Sequence, residues 1–87
     1  MTDNRRRNRR EIRQLSSEST WLQKALFALQ KADEAREKVA EYRGEDAPAF
    51  VLSVGRKKIE VEEFEEAIEG RIRELLDEVR ERRRGMR

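Results

Sequence analysis

The sequence predicts a mainly α-helical protein in which two long amphipathic helices form a helical hairpin around a short β-hairpin, in the order α–β–β–α. Apolar residues recur at steps of three and four from Trp21 to Tyr42, and again after Val61. Between these stretches, apolar and polar residues alternate on both sides of Gly55. Leu, Ile, Val and Phe supply only 19 of the 87 residues, so we expect one domain with a thin core.

The beginning of the chain is rich in arginine and is predicted to be a basic, flexible arm over residues 1–15. Short hydroxyl side chains at 16–20 favour helix caps over helix interiors, because they bond to their own backbone. Thr20, followed three residues later by Gln23, has the capping-box form. We therefore place the start of the first helix within 16–20. A continuous helix from residue 5 to residue 43 is the alternative, and it would change the shape of the molecule greatly.

The first helix carries a heptad pattern that we call the alanine seam. Leu22, Leu26 and Leu29 widen the apolar surface beside it. Because the side chains in the middle of the seam are alanines, which are small, a partner helix can approach closely. Gly44 is the expected residue after the helix, and Pro48 prevents its continuation. The seam comprises Trp21, Ala25, Ala28, Ala32, Ala35, Val39 and Tyr42.

Residues 49–61 are predicted to form the β-hairpin. A two-residue turn at Gly55-Arg56 would pair Val54 with Lys57, Leu52 with Ile59 and Phe50 with Val61. A four-residue loop over 55–58 would instead pair Leu52 with Val61. Both registers place the same apolar residues on one face, so the hairpin is expected in either case.

The second helix is predicted to begin at Val61 or Glu62 and to end before Gly85. Acidic residues crowd its start and arginines crowd its end, which is the order that the helix dipole favours. The expected α–β–β–α domain of the protein spans residues 16–84, and a basic tail follows at 85–87. The predicted buried face consists of Phe64, Ile68, Ile72, Leu75 and Val79, with Ala67 and Leu76 beside it.

A homodimer is expected, because the two helices together carry more apolar width than one antiparallel pair can bury. The residues predicted to form this oligomer or partner interface are Trp21, Leu22, Ala25, Leu26, Ala28, Leu29, Ala32 and Leu76.

Composition excludes several classes of chemistry. The chain has no Cys and no His, so thiolate and imidazole metal sites, disulfides and thiol nucleophiles cannot be built from it. Paired carboxylates such as Glu62 and Glu66 need no metal to explain them at the start of a helix. We therefore expect no enzymatic activity, no cofactor and no metal site. The longest apolar run, Ala47 to Leu52, is too short to span a bilayer, and we expect a cytoplasmic, soluble protein.

The near-neutral net charge of +2 hides a strong segregation of charge. The first 15 residues and the last eight each carry an excess of four positive charges, whereas the middle is acidic. Arginine presents a planar fork of donors that grips phosphate at two points. If the chain forms a helical hairpin, both arginine-rich segments lie at one end. The residues predicted to contact nucleic acid are Arg5, Arg6, Arg7, Arg9, Arg10, Arg13, Arg80, Arg82, Arg83 and Arg84.

The run from Arg5 to Arg13 also resembles the arginine-rich RNA-binding peptides of lambdoid phage antiterminators and of a lentiviral export protein. That resemblance implies a segment that binds phosphates and folds on contact. We therefore expect a small regulatory or architectural protein that binds DNA or RNA. The alternative is a protein–protein interaction module, such as an adaptor, scaffold or inhibitor, that binds through its helical faces.

Two further patterns have simpler interpretations. Leu15, Leu22 and Leu29 are seven residues apart, as in a zipper, but core packing of the first helix explains them better. The basic residues at 56–58 are typical of an exposed turn, although they could add a second phosphate contact.

Overall fold

The computed structural model describes residues 2–85, with side chains described from Arg5 onward. Helix α1 spans Thr2–Tyr42, strand β1 Val51–Val54, strand β2 Lys57–Glu60 and helix α2 Val61–Arg84. The predicted α–β–β–α order is therefore confirmed. Met1, Met86 and Arg87 lie outside the described residues, which include only Gly85 of the expected basic tail.

Helix α1 begins far earlier than the predicted start within 16–20. It is continuous from Thr2, so the alternative of one long helix is the correct one. The hydroxyl groups that suggested a cap are accommodated inside the helix. Thr20 Oγ1 donates a hydrogen bond of 3.0 Å to the Ser16 carbonyl, one turn earlier, and Gln23 Nε2 donates one of 3.2 Å to Ser19 Oγ. Such local bonding satisfies short polar side chains within a helix.

Helix α1 ends as the sequence predicts. Gly44 adopts a φ of +69°, the left-handed conformation that glycine reaches without steric cost. Its N–H donates to the Glu41 carbonyl at 3.0 Å, and the Glu45 N–H donates to the Ala40 carbonyl at 2.9 Å. These two bonds form a Schellman motif, which satisfies carbonyls at the end of the helix.

The β-hairpin uses the two-residue turn. Val54 pairs with Lys57 and Leu52 pairs with Ile59, which excludes the four-residue loop. Gly55 has a φ of +63°, as the first central residue of such a turn requires. The Val61 N–H donates to the Phe50 carbonyl at 2.8 Å, so the ladder continues into the first residue of α2.

The two helices pack through a face of α1 that lies beside the alanine seam, and the seam itself is exposed. The contacting face, here called the leucine stripe, repeats at steps of three and four and includes Ser19, which is only 3% exposed. Leu26 lines a cleft with Ile72, and Leu29 lines one with Val61 and Phe64. The other members are half-buried and lie on the same side of the helix. The leucine stripe consists of Ile12, Leu15, Ser19, Leu22, Leu26 and Leu29.

The face predicted for α2 is mostly correct. Leu75 and Val79 are buried and Ile68 and Ile72 are half-buried, whereas Phe64 is exposed. In this antiparallel arrangement the numbers of neighbouring residues on the two helices add up to about 90. Val61 of α2, for example, shares a cleft with Leu29 of α1, and Arg71 pairs with Glu18. The loop after α1 returns along that helix, and Arg36 donates to the carbonyls of Pro48 and Ala49 at 2.9 and 3.2 Å.

The molecule is elongated. Its extents are 64 × 27 × 15 Å and its radius of gyration is 18.7 Å, against about 12 Å for a compact domain of this length. Its accessible surface is 7596 Å², whereas a globular monomer of this mass exposes about 5,400 Å². The difference reflects a core of two helices and an exposed hairpin, with little else to cover them.

Candidate functional site

The two arginine-rich segments lie side by side at one end of the helical hairpin. Arg82 near the end of α2 forms an ion pair with Glu11 of α1, and its other nitrogen donates to Glu78 Oε1 at 3.2 Å. About three turns earlier on α2 and two turns later on α1, Arg71 of α2 pairs with Glu18 of α1 at 2.8 Å. These contacts fix the antiparallel register and bring residues 5–13 next to residues 78–84. We call this region the basic end.

The arginines of α1 at the basic end lie outside the face that packs on α2. Successive residues of an α-helix are about 100° apart, and this spacing places Asn8, Glu11 and Ile12 on the side that faces α2. The six arginines occupy the remaining arc and all are exposed. They form a curved guanidinium surface, which consists of Arg5, Arg6, Arg7, Arg9, Arg10 and Arg13.

The arginines of α2 at the basic end divide into two roles. Arg80, Arg83 and Arg84 are exposed and line a shallow groove whose floor is Leu76 and Val79. Arg80 also lies 3.8 Å from Asp77 in an exposed ion pair. Arg82, by contrast, is half-buried between Glu11 and Glu78, so its guanidinium joins the helices and is engaged before any ligand arrives.

The charge of the basic end is strongly positive. Residues 5–13 hold six Arg and one Glu, and residues 78–84 hold four Arg and two Glu. Arg5 and Arg9, Arg6 and Arg10, and Arg9 and Arg13 are like-charged neighbours at the i,i+4 spacing, which destabilises a helix. Positive charge near a helix N-terminus is also unfavourable because of the dipole. An anion bound here would therefore relieve repulsion within α1.

Ion pairing also holds the centre of the hairpin, and it shifts two ionisation equilibria. The hydrogen bonds from Arg71 lower the pKa of Glu18 below its ordinary value. The hydrogen bond to Glu18, followed by the one to Glu74, raises the pKa of Arg71. Neither this pair nor Glu11 was predicted from the sequence. The only feature of the sequence that could have predicted these ion pairs is that acidic residues of α1 and arginines of α2 become neighbours when the two helices pack antiparallel.

The residues predicted for an oligomer interface separate in the structure. Leu22, Leu26 and Leu29 are half-buried in the leucine stripe, facing α2. The members that belong to the alanine seam are exposed, and so is Leu76. The exposed members are Trp21, Ala25, Ala28, Ala32 and Leu76.

The rest of the described chain adds few candidates. Arg56, Lys57 and Lys58 are exposed at the hairpin, and the helix between them and Arg84 is about 35 Å long. Across residues 5–85, no three carboxylates come together in a way that could hold a metal ion. Neither described helix is long and apolar enough to cross a membrane.

Comparison with other proteins adds no relative: no family model, no curated protein and no solved structure matches this chain.

Proposed function

We propose that this protein binds nucleic acid non-enzymatically, with the basic end as its phosphate-contacting surface. The observation that carries the proposal is the convergence of the two arginine-rich segments at one end of the hairpin, fixed by the Glu11–Arg82 ion pair. Exposed arginines of both α1 and α2 lie at this end.

The arrangement suits a phosphate backbone better than a single small anion. The α1 arginines extend over residues 5–13, about 12 Å of helix, while Arg80, Arg83 and Arg84 provide a second set on α2. A nucleic-acid strand carries several phosphates within the same length of about 12 Å, so several guanidinium groups can bind phosphates at once. Arginine forks give each contact two hydrogen bonds.

Binding is expected to depend on backbone charge more than on base sequence. Contacts to phosphate position a protein but carry no direct sequence information. Each phosphate neutralised on duplex DNA contributes about −0.9 to the slope of log K against log salt. If all six α1 arginines bind phosphates, their share of the slope is therefore about −5. The expected homodimer and the regulatory or architectural role stay predictions.

The test compares two variants with the same change in charge. In the first, Arg6, Arg9 and Arg13 become Gln; these residues share an arc of about 60° on α1, and Gln has nearly the same helix propensity as Arg. In the second, the matched control, Arg56, Lys57 and Lys58 become Gln. Fluorescence anisotropy measures binding to labelled duplex DNA, single-stranded DNA and hairpin RNA over a salt series.

We expect the α1 variant to bind duplex DNA more weakly and to reduce the magnitude of the salt slope by about 2.7, for three lost phosphate contacts. The hairpin variant should retain the slope of the natural chain. Equal losses in both variants would mean that only total charge matters, and absence of binding by the natural chain at low salt would overturn the proposal. The probe that the natural chain binds most tightly shows whether the ligand is DNA or RNA.

A further inference from the structure

The alanine seam is an apolar face of α1 that no other described part of the chain covers. Trp21 is 63% exposed and Tyr42 is 85% exposed, at the two ends of the seam. The alanines between them are exposed as well. Helix geometry places the seam about a third of a turn from the leucine stripe. Helix α1 therefore carries two heptad faces, of which α2 covers one.

The size of the seam suits a partner helix. From Trp21 to Tyr42 it runs for about 32 Å of helix, the length of some 20 residues. The chain exposes about 2,200 Å² more than a compact monomer of its mass, whereas each partner in a standard interface buries about 800 Å². Opposite a run of alanines, a helix with large apolar side chains would fill the space.

One edge of the seam carries a row of lysines, which we call the lysine row: Lys24, Lys31 and Lys38, seven residues apart. Lys24 Nζ lies 4.3 Å from the centre of the Trp21 ring, so the row borders the seam directly. Seven-residue spacing beside a heptad seam is where coiled coils place charges that select a partner. Lys31 forms an exposed ion pair with Glu34 at 3.3 Å, and Arg36 on the opposite edge pairs with Asp33 at 2.8 Å.

The homodimer expected from the sequence would, if it formed through the alanine seam, place like charges across it. In an antiparallel pair the lysine row of one copy faces the lysine row of the other. In a parallel pair, Lys31 and Lys38 of one copy face Arg36 and Arg43 of the other. Like charges at these positions disfavour pairing, whereas acidic residues would favour it.

We propose that the alanine seam is a docking site for an acidic amphipathic helix of a partner protein. The partner helix sets large apolar residues against the four alanines and places Glu or Asp beside the lysine row. This inference is independent of the proposed nucleic-acid binding, because the seam and the lysine row lie outside the basic end.

The experiment uses the full chain and two synthetic 21-residue peptides. The acidic peptide has Leu at the a and d positions of three heptads and Glu at the flanking e and g positions. The basic peptide has Lys at those flanking positions. Like flanking charges keep each peptide from pairing with itself. Trp21 is the sole tryptophan of the chain, so its fluorescence reports docking, and calorimetry measures the affinity.

We expect the acidic peptide to bind and to shift Trp21 emission to the blue, and the basic peptide to bind at least tenfold more weakly. Ala32→Glu should lower the affinity for the acidic peptide at least tenfold. Ala67→Glu, an exposed alanine on α2, is the matched control and should leave its affinity unchanged. Changing Lys24, Lys31 and Lys38 together to Glu should reverse the preference between the two peptides.

Three outcomes would overturn the proposal. The first is equal binding of the two peptides, because the lysine row would then select nothing. The second is binding of neither peptide. The third is a dimer of the chain alone in sedimentation that Ala32→Glu dissociates, because a second copy would then occupy the seam.

Discussion

At the scale of single residues, the most informative contact is the one between Arg71 and Glu18. Arg71 donates from Nε to one carboxylate oxygen at 2.8 Å and from a terminal nitrogen to the other at 3.3 Å. A further terminal nitrogen donates to Glu74 at 3.2 Å. This two-point grip joins α2 to α1, and it lowers the pKa of Glu18. Its position is solvent-exposed, so its contribution to stability is small and sensitive to pH.

The substitution Glu18→Gln tests that pH dependence. A carboxylate whose pKa is lowered in the folded state adds stability above its ordinary value of 4.5, and the stability is lost as pH falls through the folded pKa. Urea unfolding should therefore show the natural chain to be more stable than the variant at pH 7. The difference should diminish below pH 4.5 and vanish in stronger acid.

The control for that prediction is Glu37→Gln, an exposed glutamate of α1 with no ion pair to any described side chain. It should change stability little at either pH. A Glu18→Gln effect of the same size at pH 7 and in strong acid would show that the carboxylate charge is not what stabilises the fold.

At the scale of elements, the pairing of α1 with α2 rests on very few fully buried side chains. Leu75 is 0% exposed, and the only other large side chain of the described residues buried to that degree is Val61. Ser19 on α1 is small and buried, which lets the two helices approach closely at that level. The hairpin contributes little to this core, because Val51, Leu52 and Val54 are all exposed.

Two adjacent leucines of α2 provide a direct test of this packing. Leu75→Ala removes a buried side chain and should cost about 2–5 kcal/mol in free energy of unfolding. Leu76 is 46% exposed, and Leu76→Ala should cost less than about 1 kcal/mol. Chemical denaturation monitored by circular dichroism measures both. Equal costs would contradict the face of α2 that the structure assigns to the core.

At the scale of the whole molecule, the antiparallel register decides which charges meet. The sequence is acidic in the middle and basic at both ends, and the hairpin brings the two basic ends together. Glu11 and Arg82 meet between them, 71 residues apart in the chain. The same register leaves Lys57 and Lys58 near the start of α2, well away from the basic end.

A double-mutant cycle tests that register. Glu11→Arg alone and Arg82→Glu alone should each destabilise the protein, because each sets like charges against one another. The swapped double variant should recover part of the loss, with a coupling on the order of 0.5–1 kcal/mol for a partly exposed pair. Thermal unfolding at low salt measures all four proteins. If the effects of the two substitutions were purely additive, Glu11 and Arg82 would not be in contact, and the antiparallel register would be wrong.

The sequence alone determined the order of elements, the β-hairpin and the end of α1 before Gly44, because these depend on local chemistry: φ angles, alternation and helix stops. It left two turns open for the hairpin, and the structure has the two-residue turn at Gly55-Arg56. It misplaced the start of α1, because Ser and Thr at 16–20 are equally satisfied by bonds within a helix. The placement of both arginine-rich segments at one end followed from the predicted hairpin. Their functional role stays a prediction.

Only the tertiary structure decided which face of α1 packs on α2. The alanine seam and the leucine stripe both have heptad spacing, so periodicity cannot choose between them. Burial favours larger apolar side chains, and α2 covers the leucines and leaves the alanines in water. Likewise, Arg82 is indistinguishable in sequence from Arg83 and Arg84, and only the position of Glu11 on the neighbouring helix makes it a link between the two helices.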